Sequence, residues 1–276
     1  MKKTGVHGLN QQLLEASMQG DEILVRQLVS CGAEVNALDA LNFVCRIGDL
    51  PTASLLVELG ANVNATPDEY SVDYQLIKHT PLHTACSLAM PEIVDFLIEK
   101  GANVLIKDTS GRTPMHTACG DKAEDSLPPE STIAIIDALL KAGSFIDPAD
   151  QFDMTPLHLA CISSNHAGNP EVVRHLVERG ADINARDYKG RTPLHVACAV
   201  DGSIACAKLL IDLGADTQAR AMRTTLNITA AEIDKTGEIA RYIRSIELGE
   251  NITRALDSQG GETPTNGARS VSGPSL

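Results

Sequence analysis

Four histidines and four cysteines are the residues whose type and spacing could do chemistry in this chain. His83, His116, His158 and His195 are followed, three residues on, by Cys86, Cys119, Cys161 and Cys198. Helical positions three apart share a face, so each pair could offer an imidazole and a thiolate to one ion. Repeated, such pairs would make a catalytic or metal-binding column. Distance argues against that reading. Zinc ligands lie ~2.0–2.3 Å from their ion, whereas packed helices run ~8–10 Å apart. One pair cannot supply four ligands, and the neighbouring pairs stand too far away to complete the shell. No metal, cofactor or catalytic residue is assigned. The glycines form no Gly-x-x-x-x-Gly-Lys phosphate loop, and no Gly-x-Ser-x-Gly elbow is present.

The histidines matter for what surrounds them. They sit in Thr80-Pro81-Leu82-His83-Thr84-Ala85, Thr113-Pro114-Met115-His116-Thr117-Ala118, Thr155-Pro156-Leu157-His158-Leu159-Ala160 and Thr192-Pro193-Leu194-His195-Val196-Ala197. The phrases start at intervals of 33, 42 and 37 residues. Threonine can cap free N–H groups at a helix start, and proline is tolerated in the first helical position. Further on, a glycine before a small residue closes a second helix, as at Gly32, Gly60, Gly101, Gly143, Gly180 and Gly214.

A Thr-Pro-Leu-His-x-Ala phrase at a period near ~33 is the signature of ankyrin repeats, and the chain resembles that family. The resemblance implies an all-α repeat solenoid of stacked helix-turn-helix units with short β-hairpin fingers. It also implies that His83, His116, His158 and His195 hydrogen-bond backbone between neighbouring turns. The cysteines then replace a small alanine-like core residue, a role free cysteine fills well.

About seven units are expected, over residues 9–36, 37–65, 80–108, 113–150, 155–187, 192–219 and 224–249. The first two and the last lack the full phrase; the seventh is expected to begin at Thr224-Thr225-Leu226-Asn227. End repeats face solvent on one side, which fits polar Asn10-Gln11-Gln12 and Arg241, Arg244 and Glu247. Two departures stand out: a finger insertion at 66–79 and an acidic insertion between helices at 120–130. The stretch 258–276, rich in Gly, Ser, Thr and Pro, is expected to be a disordered tail.

Composition bounds the function. Lys and Arg total 23 against 36 Asp and Glu, a net charge of −13, which disfavours nucleic acid as main partner. No stretch approaches ~18 apolar residues, and no signal-like apolar region opens the chain, so no membrane role is expected. Seven cysteines, an odd number mostly within repeat helices, suit a reducing intracellular compartment, the cytoplasm first and the nucleus as alternative. Asn227-Ile228-Thr229 and Asn251-Ile252-Thr253 match glycosylation acceptors only formally.

The expected function is a non-catalytic scaffold or adaptor, monomeric before it meets a partner protein. A substrate-receptor or inhibitory subunit of a larger complex is the finer alternative, and a His/Cys metal protein or enzyme is the competing class. Tyr70, Tyr74, Phe152, Tyr188 and Arg191 fall in the fingers, and Tyr and Arg are frequent interface anchors. Asn36, Asn64 and Asn184, each four residues after a closing glycine, resemble the finger asparagine that asparaginyl hydroxylases modify in this family.

Overall fold

The computed structural model describes residues 2–66, 79–120, 128–162, 168–199, 203–223 and 226–259. Each unit is a pair of antiparallel helices, and the first helix of every unit packs on the first helix of the next. These are α1 (Lys2–Met18) with α2 (Glu22–Ser30), α3 (Ala40–Ile47) with α4 (Leu50–Glu58), and α5 (Pro81–Ser87) with α6 (Pro91–Glu99). There follow α7 (Pro114–Gly120) with α8 (Pro129–Lys141), α9 (Pro156–Ala160) with α10 (Pro170–Glu178), and α11 (Pro193–Ala199) with α12 (Ile204–Asp212). The array closes with β1 (Arg220–Arg223) antiparallel to β2 (Leu226–Thr229), then α13 (Ala230–Ile233) and α14 (Glu238–Gln259).

Short first helices can stack closely because their contact positions are small. Ala85, Ala118, Ala160 and Ala197 are all fully buried or nearly so, and Leu82, Met115, Leu157 and Leu194 fill the core beside them. Cys86, Cys119 and Cys161 are buried in the same column. The second helices end where Gly101 (φ +88°) and Gly180 (φ +94°) turn left-handed. There the next amide bonds back into the helix, Ala102 to Leu97 O and Ala181 to Leu176 O. The third, fourth and fifth fingers (102–112, 144–154 and 181–191) then fold back as tight turns. In all three the ends meet, through Asp108 N–H to Arg112 O, Asp150 N–H to Met154 O and Asp187 N–H to Arg191 O.

Three sequence expectations need correction. The seventh unit's first helix starts at Ala230, because Leu226–Thr229 pair as a strand with Arg220–Arg223. Its cap is Thr229, and Glu232 takes the place of the histidine, accepting the Thr229 N–H at 2.6 Å. Asn10 is buried, its Oδ1 accepting Glu34 N–H at 2.8 Å, whereas Gln11 and Gln12 are exposed as expected. Lastly α14 reaches Gln259, so the first two residues of the expected tail are helical. Residues 260–276 lie outside the described residues, as do 67–78 of the finger insertion and 121–127 of the acidic insertion.

Candidate partner-binding surface

The inner side of the stack is locked by the four histidines. Nδ1 of His83, His116, His158 and His195 accepts the backbone N–H of its own Thr80, Thr113, Thr155 and Thr192 at 3.1–3.3 Å. That leaves Nε2 to carry the proton. From there His83 donates to Arg112 O, His116 to Met154 O and His158 to Arg191 O, at 3.0–3.1 Å. Each of these three rings thus spans one joint between units. Burial drives the His83 pKa down from 6.5 to about 4 and lowers those of His116 and His158, so the rings are held neutral. Burial also pushes the Cys45 and Cys206 thiols up to about 12, away from reactive thiolate. Among the described residues no group of three or more His, Cys, Asp and Glu side chains could hold a metal ion.

The fingers carry a second column that the histidines overshadow in the sequence. Asp108, Asp150 and Asp187 each stand seven residues after a closing glycine, and their side chains are at most 1% exposed. One oxygen of each accepts two amides of its own turn: Ser110 and Arg112, Phe152 and Met154, Lys189 and Arg191. The other faces a basic side chain from the position just before a phrase threonine. His79 lies 3.3 Å from Asp108, and Arg112 lies 3.6 Å from Asp150. The residue that should serve Asp187 is Met154, which carries no charge. Arg191 turns back and bonds Asp187 itself, Nε to Oδ2 at 2.7 Å. Burial opposes charge on Asp108, yet His79 and the Arg112 and Ser110 amides outweigh it and hold the carboxyl below its usual range. Aligning the chain on its closing glycines would have exposed this column.

These turns fix the finger tips against one another. Gln151 N–H donates to Ser110 O at 3.1 Å, and Tyr188 N–H donates to Phe152 O at 3.0 Å. The approach is close: a Cβ on Gly111 would sit 2.8 Å from Gln151 N. At the tips Phe152 and Tyr188 remain 43% and 54% exposed, their ring centroids 5.6 Å apart. Lys189 Nζ lies 5.0 Å from the Tyr188 ring. The structure therefore brings Phe152 and Tyr188 together, whereas Arg191 is committed to the buried Asp187. Tyr70 and Tyr74 lie outside the described residues.

A third set of bonds runs along the outer start of the fingers. Asn36 accepts Asn62 N–H and donates to Gly60 O; Asn64 likewise accepts Asn103 N–H and donates to Gly101 O. Asn184 accepts Asp216 N–H at 2.9 Å. All three asparagines named in the sequence thus tie adjacent fingers.

Stacked helix pairs, a buried cap-and-rung histidine and tied fingers define a repeat protein of the ankyrin class. A sequence model described as "Ankyrin repeats (3 copies)" matches residues 13–108, 70–128, 92–187 and 130–221. The chain belongs to the ankyrin-repeat family. It is 41% identical over 76 residues to human (Homo sapiens) Rabankyrin-5, a match covering 25% of this chain and 6% of that protein. To mouse (Mus musculus) Rabankyrin-5 it is 38% identical over 79 residues, covering 26% and 6%. The chain thus spans a small fraction of the length of these relatives. The crystal structure of the human ASB11 ankyrin repeat domain superposes with a TM-score of 0.64 at 24% identity, covering 82% of this chain and 95% of that one. Ankyrin repeats are generally non-catalytic protein–protein interaction modules. Among the described residues no helix is long and apolar enough to cross a membrane.

Proposed function

We propose that this chain is an intracellular scaffold that holds a partner protein on its finger tips, with Phe152 and Tyr188 as anchors. The observation carrying this reading is the exposed aromatic pair on two fingers whose backbones are tied by Tyr188 N–H to Phe152 O. Rigid, exposed aromatics lose little side-chain freedom on binding, and Tyr is enriched among interface hot spots. Lys189, over the Tyr188 ring, adds a cation at the rim. Within this class the chain would act as an adaptor or as the substrate-receptor or inhibitory subunit of a larger complex. Hydroxylation of Asn36, Asn64 or Asn184, on the first, second and fifth fingers, is a further expectation.

Affinity purification with wild type and Phe152→Ser/Tyr188→Ser tests the reading. The double variant should melt like wild type and lose a specific set of partners. Equal recovery of every partner removes the tip from the interface.

A further inference from the structure

The outer bonds between fingers follow one rule. The amide two residues past a closing glycine is bonded by a side chain, from the preceding unit at four joints and from α1 of the same unit in the first. Asn10 serves Glu34, Asn36 serves Asn62, Asn64 serves Asn103, Asp147 serves Asp182 and Asn184 serves Asp216. The joint between the third and fourth fingers breaks the rule. Leu105 stands where Asn64 and Asn184 stand in their fingers, and Phe145 takes the place of Asn103 and Asp182. Among the described residues no side chain reaches the Phe145 N–H. Leu105 and Phe145 are also 43% and 64% exposed. Two polar positions that face each other at the other joints are both apolar at this one, and both project to solvent.

We propose that this edge docks an extended peptide segment presenting an Asn or Gln carboxamide between apolar side chains. Four of the five bonded amides are served by asparagine and one by Asp147, and the full bridge made by Asn36 and Asn64 defines the chemistry of the occupant. Asn64 bridges a glycine carbonyl and the amide two residues on, donating to Gly101 O at 3.3 Å and accepting Asn103 N–H at 2.8 Å. Gly143 O and Phe145 N–H present the same acceptor and donor at the same spacing, with Leu105 in place of the bridging asparagine. A carboxamide satisfies both groups. A carboxylate can only accept, leaving Gly143 O unmatched, and a chain of net charge −13 disfavours another anion. Leu105 and Phe145 form apolar walls for the residues that flank the carboxamide. The site deepens the scaffold reading but uses a different edge from Phe152 and Tyr188.

The test uses the full chain, labelled with 15N, and three capped peptides, Ser-Leu-Asn-Leu-Ser and its analogues with Asp or Leu at the centre. The Asn peptide should shift the Phe145 amide resonance, and the analogues should bind about tenfold more weakly for the lost hydrogen bonds. No shift at Phe145 at millimolar Asn peptide, or equal shifts with all three, overturns the proposal. Leu105→Asn supplies the rung internally, so the variant should keep or raise its melting temperature and lose the peptide response. A full response in that variant also overturns it. Phe152→Ser/Tyr188→Ser should leave the Phe145 response unchanged, which separates failure of this site from failure of the tip.

Discussion

The third and fourth fingers are tied at their tips and open at their outer start. At the tips Gln151 N–H reaches Ser110 O, Arg112 pairs with buried Asp150, and His116 below them reaches Met154 O. At the outer start Leu105 and Phe145 replace the bonded pair found at the neighbouring joints. Water accounts for the difference. A buried donor or acceptor that loses its partner costs about 1–3 kcal/mol, because no solvent replaces it. An exposed one exchanges its partner for water at little cost. The buried bonds of the inner columns are therefore costly to lose, and the outer edge can be released for binding.

The largest expected effect attacks the inner column through acid. The His83 pKa is depressed from 6.5 to about 4, so the unfolded chain binds the extra proton first. Stability from this group is full above about pH 6.5 and falls as pH drops through that window to about 4. His116 and His158 shift in the same direction and add to the loss. Thermal melts followed by circular dichroism should show a falling midpoint over that range; a flat profile would mean that the rings titrate as if exposed.

Next comes His116→Ala, which strands Met154 O and Thr113 N–H in the core and should cost on the order of 3 kcal/mol. Urea denaturation measures it, and a loss below about 1 kcal/mol would erase the contrast with the outer edge. Ala160→Leu tests the stack beneath, since Ala160 is fully buried. Overpacking should cost ~1–3 kcal/mol, and unchanged melting would mean that the helices have room to part.

The outer edge should respond weakly, in opposite directions. Asn64→Leu recreates the open joint between the second and third fingers and should cost about 1 kcal/mol, whereas Leu105→Asn should gain no more than that. A loss for Asn64→Leu as large as for His116→Ala would end the comparison. The smallest effect concerns Asn36, Asn64 and Asn184, whose hydroxylation should appear as a one-oxygen mass gain after co-expression with an asparaginyl hydroxylase. Absence of that species removes the expectation.

Much of the fold is legible in the sequence because its determinants are local. The spacing of Thr80, Pro81 and His83 contains a cap, a first-turn proline and the ring that returns to the cap amide. The same pattern misled at the seventh unit. Thr224-Thr225-Leu226-Asn227 looks like a decayed phrase, but Leu226–Thr229 pair with Arg220–Arg223 and the true cap is Thr229. A strand pairing outweighs a degraded cap signal, and no residue type announces it. Arg191 likewise reads as an interface anchor until Met154 leaves Asp187 without a cation.

By itself, then, the sequence determined the repeat, the helix starts of its four full phrases and its glycine closures, all through contacts within a few residues, and its resemblance to the family implied the structural use of the histidines. The stacking decided the rest. Partners across a joint lie 24 to 42 residues apart, as with Asn36 and Gly60 or Lys107 and Ala149. Insertions of differing length separate them, so only packed helices bring Asp150 under Arg112, Tyr188 beside Phe152, and Leu105 to the place where its neighbours carry asparagine.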